Sequence, residues 1–200
     1  RDAGFAVPES VLQNALKRLN DDLLSGGHPY YAYDNADHLR FADQAWSAYV
    51  LSRVQRAPLG TLRALFDNER GKSLTALPLV HLGIALQASG DAARGQKALD
   101  EAFAKTVERP RWLGDYGSEL RDAALMVALT HRAGVNKPAY DESVVALGRE
   151  LVARRPEQRL HWLSTQEQAA LARLAKALIA QGDTKVGGTL SLGGTSETVT

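Results

Sequence analysis

The chain contains no cysteine, which removes disulfides, a thiol nucleophile and any thiolate-ligated metal from these residues. Oxidising and reducing compartments both hold cysteine-free proteins, so this absence leaves the compartment open. An excess of one charge is missing too. The 24 Lys and Arg nearly balance 23 Asp and Glu, and the signs alternate instead of gathering in a basic stripe, which argues against nucleic acid as a partner. No apolar run approaches the roughly 20 residues a bilayer span needs, and neither end carries a signal-peptide or lipidation pattern. Direct membrane contact by these residues is therefore not expected. Position 1 is Arg, and the end reads Gly-Gly-Thr-Ser-Glu-Thr-Val-Thr; the expectation is a piece of a longer polypeptide whose targeting signals lie elsewhere.

What is present is helical periodicity in abundance. At 200 residues and 44% hydrophobic content, one domain with a sizeable core is expected. The organising stretch is Trp162-Leu163-Ser164-Thr165-Gln166-Glu167-Gln168. Ser164 with Glu167, or Thr165 with Gln168, fits a capping box, in which a hydroxyl and a side chain three residues on satisfy each other's orphan backbone donors. Leu171, Leu174, Ala175, Leu178 and Ile179 then recur at helical spacing until Gly182 supplies a stop.

Earlier segments repeat the design. Pro8 suits a first helical turn, and Val11, Leu12, Ala15, Leu16 and Leu19 predict a helix up to about residue 24. After an aromatic connection, Asp37 is the expected cap of a helix over residues 38–56, and a short helix over 59–68 follows. Ser73 or Thr75 is expected to open an almost continuously apolar inner helix over 74–88, and Gly90-Asp91 a stop and restart into a charged outer helix over 92–107. Ser118 is read as the cap of a helix to Ala133, stopped by Gly134, and residues 138–155 give another outer helix. Alternating polar-faced and apolar helices in pairs of roughly 40 to 45 residues describe stacked αα-hairpins, open as a solenoid or closed as a toroid. Beyond Gly182 the period turns to alternation, so residues 185–200 read as one or two strands. The expected division is 1–183 helical and 184–200 a β segment or the start of a following domain.

Candidate reactive residues are few. None of His28, His38, His81, His131 and His161 has a partner at metal-ligand spacing, and no Ser stands in a Gly-x-Ser-x-Gly turn. Asp34, Asp37, Asp43, Asp115 and Asp122 would serve a glycosidase only if two converged across a sugar; Asp37 and Asp115 have adequate duties as helix caps or turn formers, and structural roles are favoured for all five. Tyr30, Tyr31, Tyr33, Trp112, Tyr116 and Trp162 all fall on connections. Gathered at one end they would make a docking patch, and dispersed they would anchor loops. Gln166-Glu167-Gln168 is assigned to capping. No residue is assigned a catalytic, cofactor-binding or metal-binding role, and no cofactor is expected.

Two longer stretches carry a resemblance. Trp112-Leu113-Gly114-Asp115-Tyr116-Gly117-Ser118-Glu119-Leu120-Arg121-Asp122-Ala123-Ala124-Leu125 resembles a "DYGSxLRDxAL" pattern. Trp162-Leu163-Ser164-Thr165-Gln166-Glu167-Gln168-Ala169-Ala170-Leu171 resembles "WxSTQExAxAL". Both belong to late helical repeats of the thioester domain of bacterial α2-macroglobulins, and the likeness extends from about Ala6 to Gly182. The resemblance implies an all-α fold of αα-hairpin repeats forming an α/α toroid, or part of one, with a short C-terminal β extension. It further implies a periplasmic parent, lipid-anchored to the inner membrane, that traps target proteases and packs this region against neighbouring macroglobulin-like domains. The family's thioester joins Cys and Gln of a Cys-x-Glu-Gln motif, which is absent from this chain, so no reactive residue carries over. The alternatives are a helical-repeat interaction scaffold of the tetratricopeptide kind and, ranked lower, a carbohydrate-active toroid enzyme.

Overall fold

The computed structural model describes residues 4, 6–29, 34–105, 109–110, 113–153, 163–181, 188–192 and 195–199. Its helices are Glu9–Leu24 (α1), Ala36–Ser52 (α2), Leu59–Ala64 (α3), Leu77–Ala88 (α4), Ala92–Phe103 (α5), Glu119–Ala133 (α6), Pro138–Ala153 (α7) and Thr165–Gln181 (α8). Packing follows the alternation of the sequence. Helix α2 lies against α4, α4 against α6 and α6 against α8, forming an inner row, while α1, α5 and α7 cover α2, α4 and α6 from outside. This two-layered succession of αα-hairpins is the arrangement of an α/α toroid, of which the chain forms an arc.

Burial explains which helices are inner. Along α4, Leu77, Leu79, Val80, Leu82, Gly83, Ile84, Ala85 and Leu86 are all buried, so this helix has no polar stripe and needs protein on every side. Helix α5 buries only Gly95, Ala98, Leu99 and Ala102, a single face at i, i+3, i+4 and i+7. The two cross where glycine allows it: a Cβ on Gly95 would stand 2.7 Å from the carbonyl oxygen of Gly83. The core has two parts. One gathers Leu23, Phe41, Leu51, Leu62, Leu82, Leu86 and Leu99 from α1 to α5, and the other Leu120, Val127, Leu147, Ala170 and Leu174 from α6 to α8. Phe103 and Leu125 pack against both, which makes the arc continuous.

Several boundaries differ from expectation. Helix α2 starts one residue ahead of Asp37, with Asn35 at the cap position and no side-chain cap bond, so Asp37 lies in the first turn and acts on the helix dipole. The same helix ends at Ser52 instead of near 56, because Gln55 takes a positive φ of 57° and reverses the chain before Pro58. Neither Ser73 nor Thr75 caps α4. The Ser73 hydroxyl donates to the Thr75 carbonyl at 2.8 Å, and α4 opens at Leu77 with Pro78 in its first turn. The short third helix continues as a π-helical turn over Leu65–Glu69 and a 3₁₀ turn over Arg70–Lys72. Asp91, Ser118 and Gly134 play their expected parts at helix ends. The strands Gly188–Leu192 (β1) and Thr195–Val199 (β2) pair antiparallel, Gly188 opposite Val199 and Leu192 opposite Thr195. The expected boundary at 183–184 lies outside the described residues.

Candidate functional site

The densest polar construction sits where α6 and α8 begin. Ser118 caps α6, its hydroxyl oxygen accepting from the Arg121 amide at 3.1 Å. In the turn before it, the Asp115 carboxylate accepts from the Gly117 amide at 3.1 Å, the local closure that Asp favours in turns. Arg109 and Arg121 then clamp this turn to the helix. Arg109 donates to Asp115 and, at 2.5 Å, to Asp122. Arg121 donates to Asp122 at 2.6 and 2.8 Å, to the Asp115 carboxylate at 3.2 Å and to its carbonyl at 2.9 Å. The side chains are 9 to 22% exposed, so two guanidiniums and two carboxylates balance charge in a largely dry place. Any side chain at Gly117 would run into both guanidiniums.

The site reaches across the chain to α8. Ser164 and Glu167 form the capping box: the Ser164 amide donates to Glu167 at 2.8 Å and the Glu167 amide to the Ser164 hydroxyl at 3.2 Å. The second Glu167 oxygen accepts from the Ser118 hydroxyl at 2.8 Å. One buried carboxylate thus joins the caps of two neighbouring inner helices. Gln168 makes no box with Thr165 and donates to the Leu163 carbonyl instead. Replacing Glu167 by Ala is expected to lower the stability of the chain by about 1–2 kcal/mol, the value of a cap plus a hydrogen bond. In urea denaturation, Ser118→Ala and Glu167→Ala should be non-additive because they share one bond; strict additivity would refute the link.

Electrostatics follow burial. Burial pushes Asp115 up, but the hydrogen bond from Arg109 and the charges of Arg109 and Arg121 outweigh it and hold the carboxyl below its usual range. Asp122 is deeper, and burial raises it against the pull of both guanidiniums. Nearby, His38 on α2 is 2% exposed and accepts at Nδ1 from the Leu74 amide at 3.1 Å. Burial lowers its pKa to about 4, Asp115 acting in the opposite sense and Arg109 and Lys105 reinforcing the drop. His81 falls to about 3 through burial and then the charge of Arg121. It faces Tyr49 with ring centroids 5.3 Å apart. Both line the wall of a cavity of about 340 Å³, with Trp46, Arg121, Leu125 and Arg173 among its other walls.

The remaining candidates have structural partners. His28 binds Asp22 at 3.0 Å through its ring and Asp43 at 2.8 Å through its amide, pinning the turn after α1 to α2. Burial raises Asp43 above the usual carboxylate range. His131 is buried in α6, and Asp34 is exposed before α2. His161, Tyr30, Tyr31, Tyr33, Trp112 and Trp162 lie outside the described residues. Of the weighed acids only Asp115 and Asp122 converge, and each is held by two guanidiniums. A glycosidase pair needs one acid kept protonated across a sugar-sized gap, so this arrangement can lock a turn but is not built for that chemistry. No group of three or more His, Asp or Glu among the described residues is placed to hold a metal. No described helix is long and apolar enough to cross a membrane.

Comparison with known proteins completes the picture. No family model matches the chain. A curated relative, alpha-2-macroglobulin of Xylella fastidiosa strain Temecula1, is 57% identical over 194 residues, which is 96% of this chain and 12% of that protein. A crystal structure of Salmonella alpha-2-macroglobulin reacted with methylamine superimposes on 98% of the chain with a TM-score of 0.85 at 34% identity, covering 12% of that structure's chain. Escherichia coli alpha-2-macroglobulin activated by porcine elastase superimposes on 98% of it with a TM-score of 0.78 at 33% identity, covering 17% of that chain. The sequence kinship and the shared helical arc agree along nearly the whole length: the chain belongs to the bacterial alpha-2-macroglobulin family, of whose curated member it spans 12%.

Proposed function

We propose that this chain is a rigid, non-catalytic unit of a bacterial protease trap, working through the larger polypeptide of which it forms one part. The observation that carries the reading is the likeness, along 98% of the chain, to an alpha-2-macroglobulin that elastase activates. The internal physics supports it. The ionic network ties helix starts together, and the acids that a hydrolase would need are engaged by guanidiniums. With no cysteine in these residues, a thioester would have to come from elsewhere in the polypeptide. The target is a protease, and the immediate partners are neighbouring domains of the same chain. We read the parent as periplasmic and lipid-anchored to the inner membrane; the family resemblance supports this, and cell fractionation checks it.

A trap hides the protease from large substrates and leaves its active site working. With the intact polypeptide in excess, elastase is expected to lose most of its activity on a folded protein substrate and to keep its activity on a small peptide amide. Equal loss on both substrates would indicate an active-site inhibitor, and no loss on either would overturn the trap.

A further inference from the structure

Tyr116 returns little to the fold that holds it. Its backbone is left-handed at φ 53°, where a bulky L-residue is an outlier that the surroundings must impose. Its side chain is 83% exposed, so burial within the chain offsets little of that strain. The imposition comes from both sides: Asp115 is held by Arg109 and Arg121 and closes on the Gly117 amide, while Ser118 is fixed by Arg121 and Glu167. A tyrosine presented on so rigid a loop offers a large amphipathic surface with little conformational freedom left to lose on docking.

We propose that Tyr116 anchors this helical arc to another domain of the same polypeptide, its ring entering an apolar pocket and its hydroxyl meeting a hydrogen-bond acceptor there. This rests on the reading of the chain as one unit of a longer trap. The occupant follows from length and from the rest of the surface. The chain spans 12% of its curated relative, so the surfaces facing this loop at high effective concentration belong to the same polypeptide. The other large exposed apolar residues among the described ones, Val11, Leu24, Trp46, Val54, Val145 and Ile179, lie on α1, α7 and α8 and on or just after α2. Spread over four helices, these described residues are not gathered into the single face that a second copy would require.

Tyrosine nitration with tetranitromethane, read by peptide mass spectrometry, tests the proposal. Tyr116 is expected to react at least tenfold more slowly in the intact polypeptide than in the 200-residue chain. Tyr116→Gly, which suits a positive φ, should leave the Tm of the chain unchanged or raised. Equal nitration rates, or a Tm lowered by Tyr116→Gly, would overturn the anchor. The two readings fail separately: elastase left fully active on large substrates removes the trap and not the protection of Tyr116, whereas an unprotected Tyr116 removes the anchor alone.

Discussion

Asp122→Ala is expected to cost the chain about 3–5 kcal/mol, the penalty for breaking a buried ion pair from one side. Asp122 accepts from Arg109 at 2.5 Å and from Arg121 at 2.6 and 2.8 Å. Without it, two guanidiniums that are 10% and 12% exposed retain only Asp115. One uncompensated cation then stays in a place that water barely reaches. Because a domain this size is stable by only about 5–15 kcal/mol, the loss is a large share of the total. Asp122→Asn keeps the volume and removes the charge, so a similar loss would assign the effect to electrostatics instead of packing. The network has the character of a device for specificity: replacing Arg109 and Asp122 together by Met and Leu should cost less than Asp122→Ala alone. Urea denaturation with a constant m-value checks the series, and a change below about 1 kcal/mol for Asp122→Ala would contradict the clamp.

Acid should weaken the chain through His38. Its folded pKa is about 4 against an ordinary value of 6.5, so as the pH falls the unfolded chain takes up this proton first. Stability contributed by the neutral ring is therefore complete above about pH 6.5 and is lost as the pH drops toward 4, at up to about 1.4 kcal/mol per unit and on the order of 3 kcal/mol in all. The main cause is the cost of a buried charge, and a protonated imidazole also cannot accept from the Leu74 amide, which ties α2 to the turn before α4. His81, depressed to about 3, adds a contribution of the same sign. His38→Asn supplies an acceptor without the titration, so the pH dependence of its stability should be flatter than that of the unaltered chain across pH 4 to 6.5, the interval between the two pKa values. Parallel profiles would contradict the assignment.

The legible parts of this molecule were those whose physics is local. Ser164 and Glu167 stand three apart and form the box that such spacing implies. Continuous apolarity marked α4 as an inner helix, and Ser118 and Gly134 bounded α6. Where two local signals competed, the sequence could not arbitrate. Ser73 and Thr75 bond each other instead of capping α4, and the backbone before Pro58 reverses at Gln55, shortening α2. The site itself was half visible. The sequence marks Asp115 and Asp122 as candidate acids but not the residues that decide their chemistry, Arg109 and Arg121. The signal was there in part, since Asp115, Arg121 and Asp122 fall within one short stretch of sequence. The bond between Ser118 and Glu167 was beyond reach, because it spans 49 residues and exists only once α6 and α8 lie side by side. Family membership was legible for the opposite reason: it rests on whole strings of residues, and it needs no knowledge of which contacts they make.

Under the proposed function, this arc serves the trap as an unchanging body and takes no part in its chemistry. The measurement that tests it most directly is peptide-resolved hydrogen exchange of the intact polypeptide, before and after elastase, with the same peptides weighed for covalent change. The amides of α2, α4, α6 and α8 are expected to keep their protection through activation, and no residue of this chain to gain or lose mass. Loss of protection across those helices, or a covalent adduct on any residue of this chain, would contradict that role.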